Sequence, residues 1–260
     1  MLRAFFSSAT GMKAQETLLD VTANNLANVN TNGFKRSHVD FADLLYSSVR
    51  KAGAETSQGQ NAPVGLQIGS GARATGTTKL FTPGTLQQTG NPTDFAIEGD
   101  GFFKVQNAGG DVRYTRDGAF RADNTGQLVT VNGYILDPAI TVPDGATDVS
   151  VGNDGTVSAM VAGVQANLGQ IQLARFLNPA GLSDEGNNLY AVTAASGAEV
   201  LGTPGQNGIG TIMGGYLEKS NVEVVTELVS LITAQRAYEV NSRAIRAGDE
   251  MLSNTNQIVR

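Results

Sequence analysis

Three carboxylates crowd one short stretch, Asp94, Glu98 and Asp100, and a carboxylate pair facing one bond is the apparatus of glycoside cleavage. The spacing favours a plainer role. Asp100 precedes Gly101 in a turn signal, which reads as a hairpin turn, and Glu98 falls on the solvent-facing side of an apolar run, so no catalytic pair is expected. His38 is the single histidine and there is no cysteine. Disulfides, thiolate metal sites and cysteine nucleophiles are removed, and one imidazole just after a turn reads as a packing or surface residue. Gly99-Asp-Gly101 and Gly69-Ser-Gly71 are too short for a dinucleotide fingerprint, and Lys219-Ser220 lacks the glycines of a phosphate loop. Asp117 to Gly126 has the look of a calcium loop without its terminal bidentate glutamate. The expectation is no catalytic residue, no cofactor and no metal: not an enzyme.

Composition agrees with that exclusion. The 260 residues carry 18 Lys+Arg against 24 Asp+Glu, a formal net charge of −6. An acidic chain is poorly suited to gripping nucleic acid or anionic lipid, so neither is expected as a partner. No run approaches the ~18 apolar residues of a membrane span. The apolar start breaks after Phe6, short for a cleavable leader.

Glycine and proline reveal the elements. Of 32 glycines, only Gly11 and Gly33 precede residue 50 and only Gly248 follows residue 219, while all seven prolines lie from Pro63 to Pro204. Both residue types are costly inside helices, so the chain divides into helix-compatible ends and a turn-rich middle. At the N-terminus Phe5, Met12, Leu19 and Leu26 recur every seven residues, predicting a helix to about Asn28 that stops at Gly33. At the C-terminus Val224, Leu231, Tyr238, Ile245 and Leu252 repeat the interval, widened by Leu228 and Ile232, and Ser220 with Glu223 reads as a capping box.

Between the helices, Asp-Gly and Asn-Gly pairs separate short apolar runs such as 102–105, 128–131 and 134–136, the mark of many short strands in hairpins. The expected class is α+β, with long N- and C-terminal coiled-coil helices flanking a central all-β domain. The expected divisions are 1–45, helix and turn; 46–74, an extended Gly/Ser/Gln-rich segment; 75–215, the β-rich domain; and 216–260, the C-terminal helix. On composition alone the stretch from Tyr46 to Gly71 reads as a flexible linker, although it is long for one.

Asn24, Asn25 and Asn28 set carboxamides beside the N-terminal apolar stripe. An amide at a helix seam fixes register and neighbour choice. Pairing with other copies therefore stands beside a hairpin within one chain.

The stretch Ala23-Asn-Asn-Leu-Ala-Asn-Val-Asn-Thr-Asn-Gly-Phe-Lys35 resembles the signature of bacterial flagellar rod and hook proteins, and Ser220 to Asn241 resembles that family's C-terminal helix. A third match runs from Gly90 to Phe103 and on to Tyr114-Thr-Arg-Asp-Gly-Ala-Phe120. The length, together with Leu66–Arg73 and Phe81–Gly90, is similar to distal-rod members more than to proximal ones.

The resemblance implies a structural axial subunit exported unfolded through the flagellar type III apparatus. It would form a homo-oligomeric helical rod, a hollow drive shaft that transmits torque from motor to hook and passes exported subunits. Its neighbours would be proximal rod proteins, the hook protein and the surrounding periplasmic and outer-membrane rings. Its terminal helices would order on neighbouring copies, with Phe5, Met12, Leu19, Asn24, Asn25, Leu26, Asn28, Gly33, Phe34, Val224, Leu228, Leu231, Tyr238, Ile245 and Leu252 at the assembly interface. In the family, the stretch matching Tyr46–Gly71 is an extended element between subunits. A proximal-rod paralogue, or a secreted β-rich binding module dimerised by its helices, remains the alternative.

Overall fold

The computed structural model describes residues 2–51, 55–57, 60–61 and 63–258. These fall into two compact units. One contains Met1–Leu26, Ser37–Thr78 and Glu223–Arg260; the other contains Ala27–Arg36 and Lys79–Val222. The class is α+β: a helix at each end and a mostly β region between them.

In the first unit, helix α1 spans Leu2–Ala27 and helix α2 spans Val224–Ile258. Neither contains proline, and each is interrupted by a single glycine, Gly11 and Gly248. The helices run antiparallel: Asn25 bonds Glu227, Gly11 abuts Asn241, and Phe5 abuts Gly248. A hairpin within one chain is therefore formed. The capping box expected at Ser220 is not. Ser220 Oγ accepts from Val222 N at 3.3 Å, while Glu223 supplies the first helical carbonyl, to Glu227 N at 3.0 Å. The helix begins one turn later than the motif suggests, and the Glu223 carboxylate accepts from Thr226 Oγ1 at 2.8 Å.

The same unit contains strands in stretches that the sequence reading placed in a turn, in the 46–74 segment and at the edge of the β-rich domain. Ser37–Asp43 pairs with Ala72–Lys79, Tyr46–Arg50 runs antiparallel to Leu66–Gly69, and Glu55–Ser57 to Gln60–Asn61. In the first two of these pairs the side chains are largely exposed, and strands without a continuous buried face show no alternation to read.

The β unit is built on a nine-stranded antiparallel sheet around Phe102–Gln106, which pairs with Val112–Thr115, Ile135–Leu136 and Leu173–Arg175. Because side chains alternate across a strand, this central one feeds two cores. Phe103 and Val105 join Phe95, Ile97, Phe120, Leu128 and Ile171 in the larger; Phe102 joins Tyr114, Phe176 and Tyr190 in the smaller. Aromatic rings meet edge-on in both, Phe103 with Phe120 at 5.3 Å and Tyr114 with Phe176 at 4.8 Å between centroids, the geometry their quadrupoles favour.

Three of the turn signals close hairpins, at Thr125-Gly126, Asn132-Gly133 and Asp154-Gly155. Asp100-Gly101 does not, contrary to the reading of Asp100 as a hairpin residue. It joins Phe95–Glu98 to Phe102–Gln106, which belong to different sheets. Gly118 is needed for a different reason again: a Cβ there would sit 1.6 Å from the Phe95 carbonyl oxygen, whose own N–H donates to Gly118 O at 3.0 Å.

Candidate assembly surfaces

The inner seam of the helical unit is lined by small and polar residues. Ala14, Thr22, Asn25, Glu227 and Ala234 are its buried members. Asn25 is 1% exposed: its Nδ2 donates to Ser37 O at 2.9 Å and to Glu227 Oε2 at 3.3 Å, and its Oδ1 accepts from Ser37 N at 2.9 Å. A buried carboxamide so satisfied fixes the register in which α1, α2 and the following strand meet.

The large apolar side chains lie elsewhere. At 100° per residue, Val225, Val229, Ile232 and Val240 fall on the side of α2 opposite Glu227, Ala234 and Asn241. They are 47–68% exposed. The heptad residues drift across the helix: Val224, Leu228, Leu231 and Tyr238 flank the seam, and Ile245 and Leu252 fall in line with it. Val224, Leu228 and Tyr238 are exposed, whereas Leu231, Ile245 and Leu252 are half-buried. On α1, Phe5, Met12, Leu19 and Leu26 are half-buried and Asn24 is exposed. Asn25 was legible as an amide at a helix seam, but Ala14, Thr22, Glu227 and Ala234 were missed because small and polar residues lack a hydrophobic signal. Gly11 and Gly248 carried the available one, since glycine costs about 1 kcal/mol within a helix and needs a packing reason.

Asn28, Gly33 and Phe34 belong instead to the β unit. There the Asn30-Thr-Asn-Gly33 turn is bound down: Gly33 N donates to Glu218 O at 2.8 Å, and Asn188 Nδ2 donates to Asn32 O at 2.9 Å. Gly33 has φ +68°, and a Cβ would lie 2.6 Å from Asp117 N. Phe34 is buried beneath Lys79, whose Nζ stands 5.0 Å from the ring centroid. Lys35 is fully buried, its Nζ donating to Glu218 Oε1 at 2.6 Å and Thr82 O at 2.8 Å. Gly84 N donates to the same oxygen, and the buried Arg116 guanidinium stands 3.7 Å from Glu218 Oε2. Burial, and then the Arg116 charge, pull the Lys35 ammonium below the usual lysine value against the attraction of Glu218.

None of this is catalytic apparatus. Asp94 accepts from Thr89 and Asn91 within its own turn, while Glu98, Asp100 and His38 are exposed. Among the described residues no cluster of metal-ligating side chains occurs, and no helix is long and apolar enough to cross a membrane.

Three family models match the chain: "Flagella basal body rod protein" over residues 7–35, "Flagellar hook protein FlgE/F/G D1 domain" over 96–159, and "Flagellar basal body rod FlgEFG protein C-terminal" over 213–258. The chain is 45% identical to the flagellar basal-body rod protein FlgG of Buchnera aphidicola subsp. Acyrthosiphon pisum, covering 99% of this chain and 100% of the relative. It is 43% identical to the FlgG of Borreliella burgdorferi over the full length of both, and 43% identical to that of Caulobacter vibrioides over 99% of each. Full-length identity at this level, with matches at both helical ends and in the β unit, means that this chain belongs to the flagellar basal-body rod proteins, structural subunits rather than enzymes.

Proposed function

We propose that this subunit builds the distal rod, assembling head-to-tail into a hollow helical shaft that carries torque from motor to hook and passes exported subunits. The observation that carries this reading is the exposed apolar stripe Val225–Val229–Ile232–Val240 on the side of α2 turned away from its own seam. A side chain such as Ile gains roughly 1.5–3 kcal/mol on full burial, so the stripe is a strong drive towards a neighbouring copy. Of the sequence-derived interface residues, Val224, Leu228 and Tyr238 are exposed on the same helix, and coiled-coil packing of the terminal helices would arise between subunits.

The ribbon of residues 46–50 and 66–69 supports the same reading. Leu45, Tyr46, Val49, Leu66 and Ile68 are 42–88% exposed, and a two-stranded ribbon is marginal in water unless another surface covers it. Contacts that do not close on themselves generate a filament. The β unit would face the surrounding periplasmic and outer-membrane rings, with proximal rod proteins below and the hook protein above. Export as an unfolded chain through the flagellar apparatus completes the reading.

Electron microscopy of basal bodies from a strain lacking this gene tests it. A short proximal rod without a hook is expected. Loss of almost the whole rod would move the subunit to the proximal position, and a complete rod and hook would overturn the axial role.

A further inference from the structure

Four peptide links carry the chain between its two compact units, at 26–27, 36–37, 78–79 and 222–223. On the β side of these links one side chain gathers three segments. Asn221 Oδ1 accepts from Arg36 N at 2.7 Å; its Nδ2 donates to Leu80 O at 2.8 Å, Thr82 O at 3.1 Å and Thr82 Oγ1 at 3.0 Å. Leu80 N returns a bond to Arg36 O at 2.9 Å. The remaining link, 26–27, leads into the turn bonded by Gly33 N to Glu218 O. Residues 218–221 therefore hold three of the four exits of the β unit directly, and the fourth through the turn it leads into. A carboxamide suits the position because it alone combines an acceptor with two donors on one short planar group.

We infer that Asn221 is a positioning residue, stapling the exits of the β unit side by side so that force leaves it through bonded segments together. Without the staple the exits are joined only by the Leu80–Arg36 and Gly33–Glu218 backbone bonds and the Lys35 contacts to Thr82 and Glu218, and they open more readily under load. Forced opening is governed by the rate of rupture rather than by equilibrium stability, so the residue matters most when torque is high. The inference rests on the proposal that this subunit carries torque.

The test compares cells carrying Asn221→Ala or Asn221→Asp in place of the native chain. The aspartate keeps an acceptor for Arg36 N–H and loses both donors. Basal bodies are imaged, swimming speed is measured against medium viscosity, and amide exchange at Arg36 is followed in the purified full chain. Rods and hooks at native number are expected, with Arg36 exchange about tenfold faster in the alanine variant. Speed should match native in dilute medium and fall at least twofold below it in viscous medium, with the aspartate intermediate. A speed ratio that stays constant with viscosity, unchanged Arg36 exchange, or loss of rods in both variants would overturn the inference. Failure of the axial reading would show separately, as complete rods in the deletion strain.

Discussion

Gly248 of α2 faces the ring of Phe5 on α1 so closely that a Cβ there would lie 2.6 Å from Phe5 Cζ. Alanine at 248 gains about 1 kcal/mol of helix propensity over glycine, yet overpacking typically costs about 1–3 kcal/mol. Gly248→Ala should therefore weaken helix pairing, and in a Phe5→Ala background the same change should strengthen it. Thermal melts followed by far-ultraviolet circular dichroism report the sign of each.

Lys35→Met leaves the Glu218 carboxylate buried without its closest cation. Breaking a buried pair from one side costs about 3–5 kcal/mol. Adding Glu218→Gln removes the stranded charge and should restore part of the loss, a coupling that denaturation midpoints of both single variants and the double variant measure.

Burial pushes the Asp117 carboxyl above its ordinary value of 3.8, with the Ala119 N–H opposing and the Asp94 charge adding to it. A raised folded value means that the native state holds the proton more tightly than the unfolded chain. Stability from this group is full below the unfolded value and is lost as pH rises through the folded one. Asp117→Asn keeps an acceptor for Ala119 N–H without the ionisation. Its urea midpoint should exceed that of the native chain at pH 7, and the gap should close by pH 3.

Gly118→Ala drives a methyl group into the Phe95 carbonyl. A backbone atom cannot yield as a side chain does, so a loss of about 4 kcal/mol or more is expected. Limited proteolysis of the purified chain should show cleavage within 79–222 where the native chain resists.

Ile232→Asp places a charge in the exposed apolar stripe. The subunit should keep its native circular dichroism and denaturation midpoint, because the residue lies away from the seam, while rods fail to appear in basal bodies. Rods of native length would remove the stripe from the assembly surface.

The helices were legible because proline is absent and glycine nearly so over residues 1–50 and 220–260, and the β unit because its apolar runs alternate between turn signals. The helix face was harder to read. The heptad count found Phe5, which presses on Gly248, and the amide at Asn25 was readable too, but Gly11 and Ala234 in the same seam carry no hydrophobic periodicity. The ribbons of 37–43 with 72–79 and of 46–50 with 66–69 escaped because most of their side chains are exposed. Lys35, Glu218 and Arg116 were invisible as a group, since nothing local in sequence announces an ion pair between residues so far apart.

The helical unit draws on both ends of the chain and on residues 37–78, while the β unit is made of 27–36 and 79–222. The β unit can close once residue 222 is available, but Phe5 must wait for Gly248. A subunit delivered one end first would therefore finish its displayed unit before its adhesive one. The fold sets its own clock: in the proposed rod the helical surface offered to other copies would mature last, after nearly the whole polypeptide has arrived.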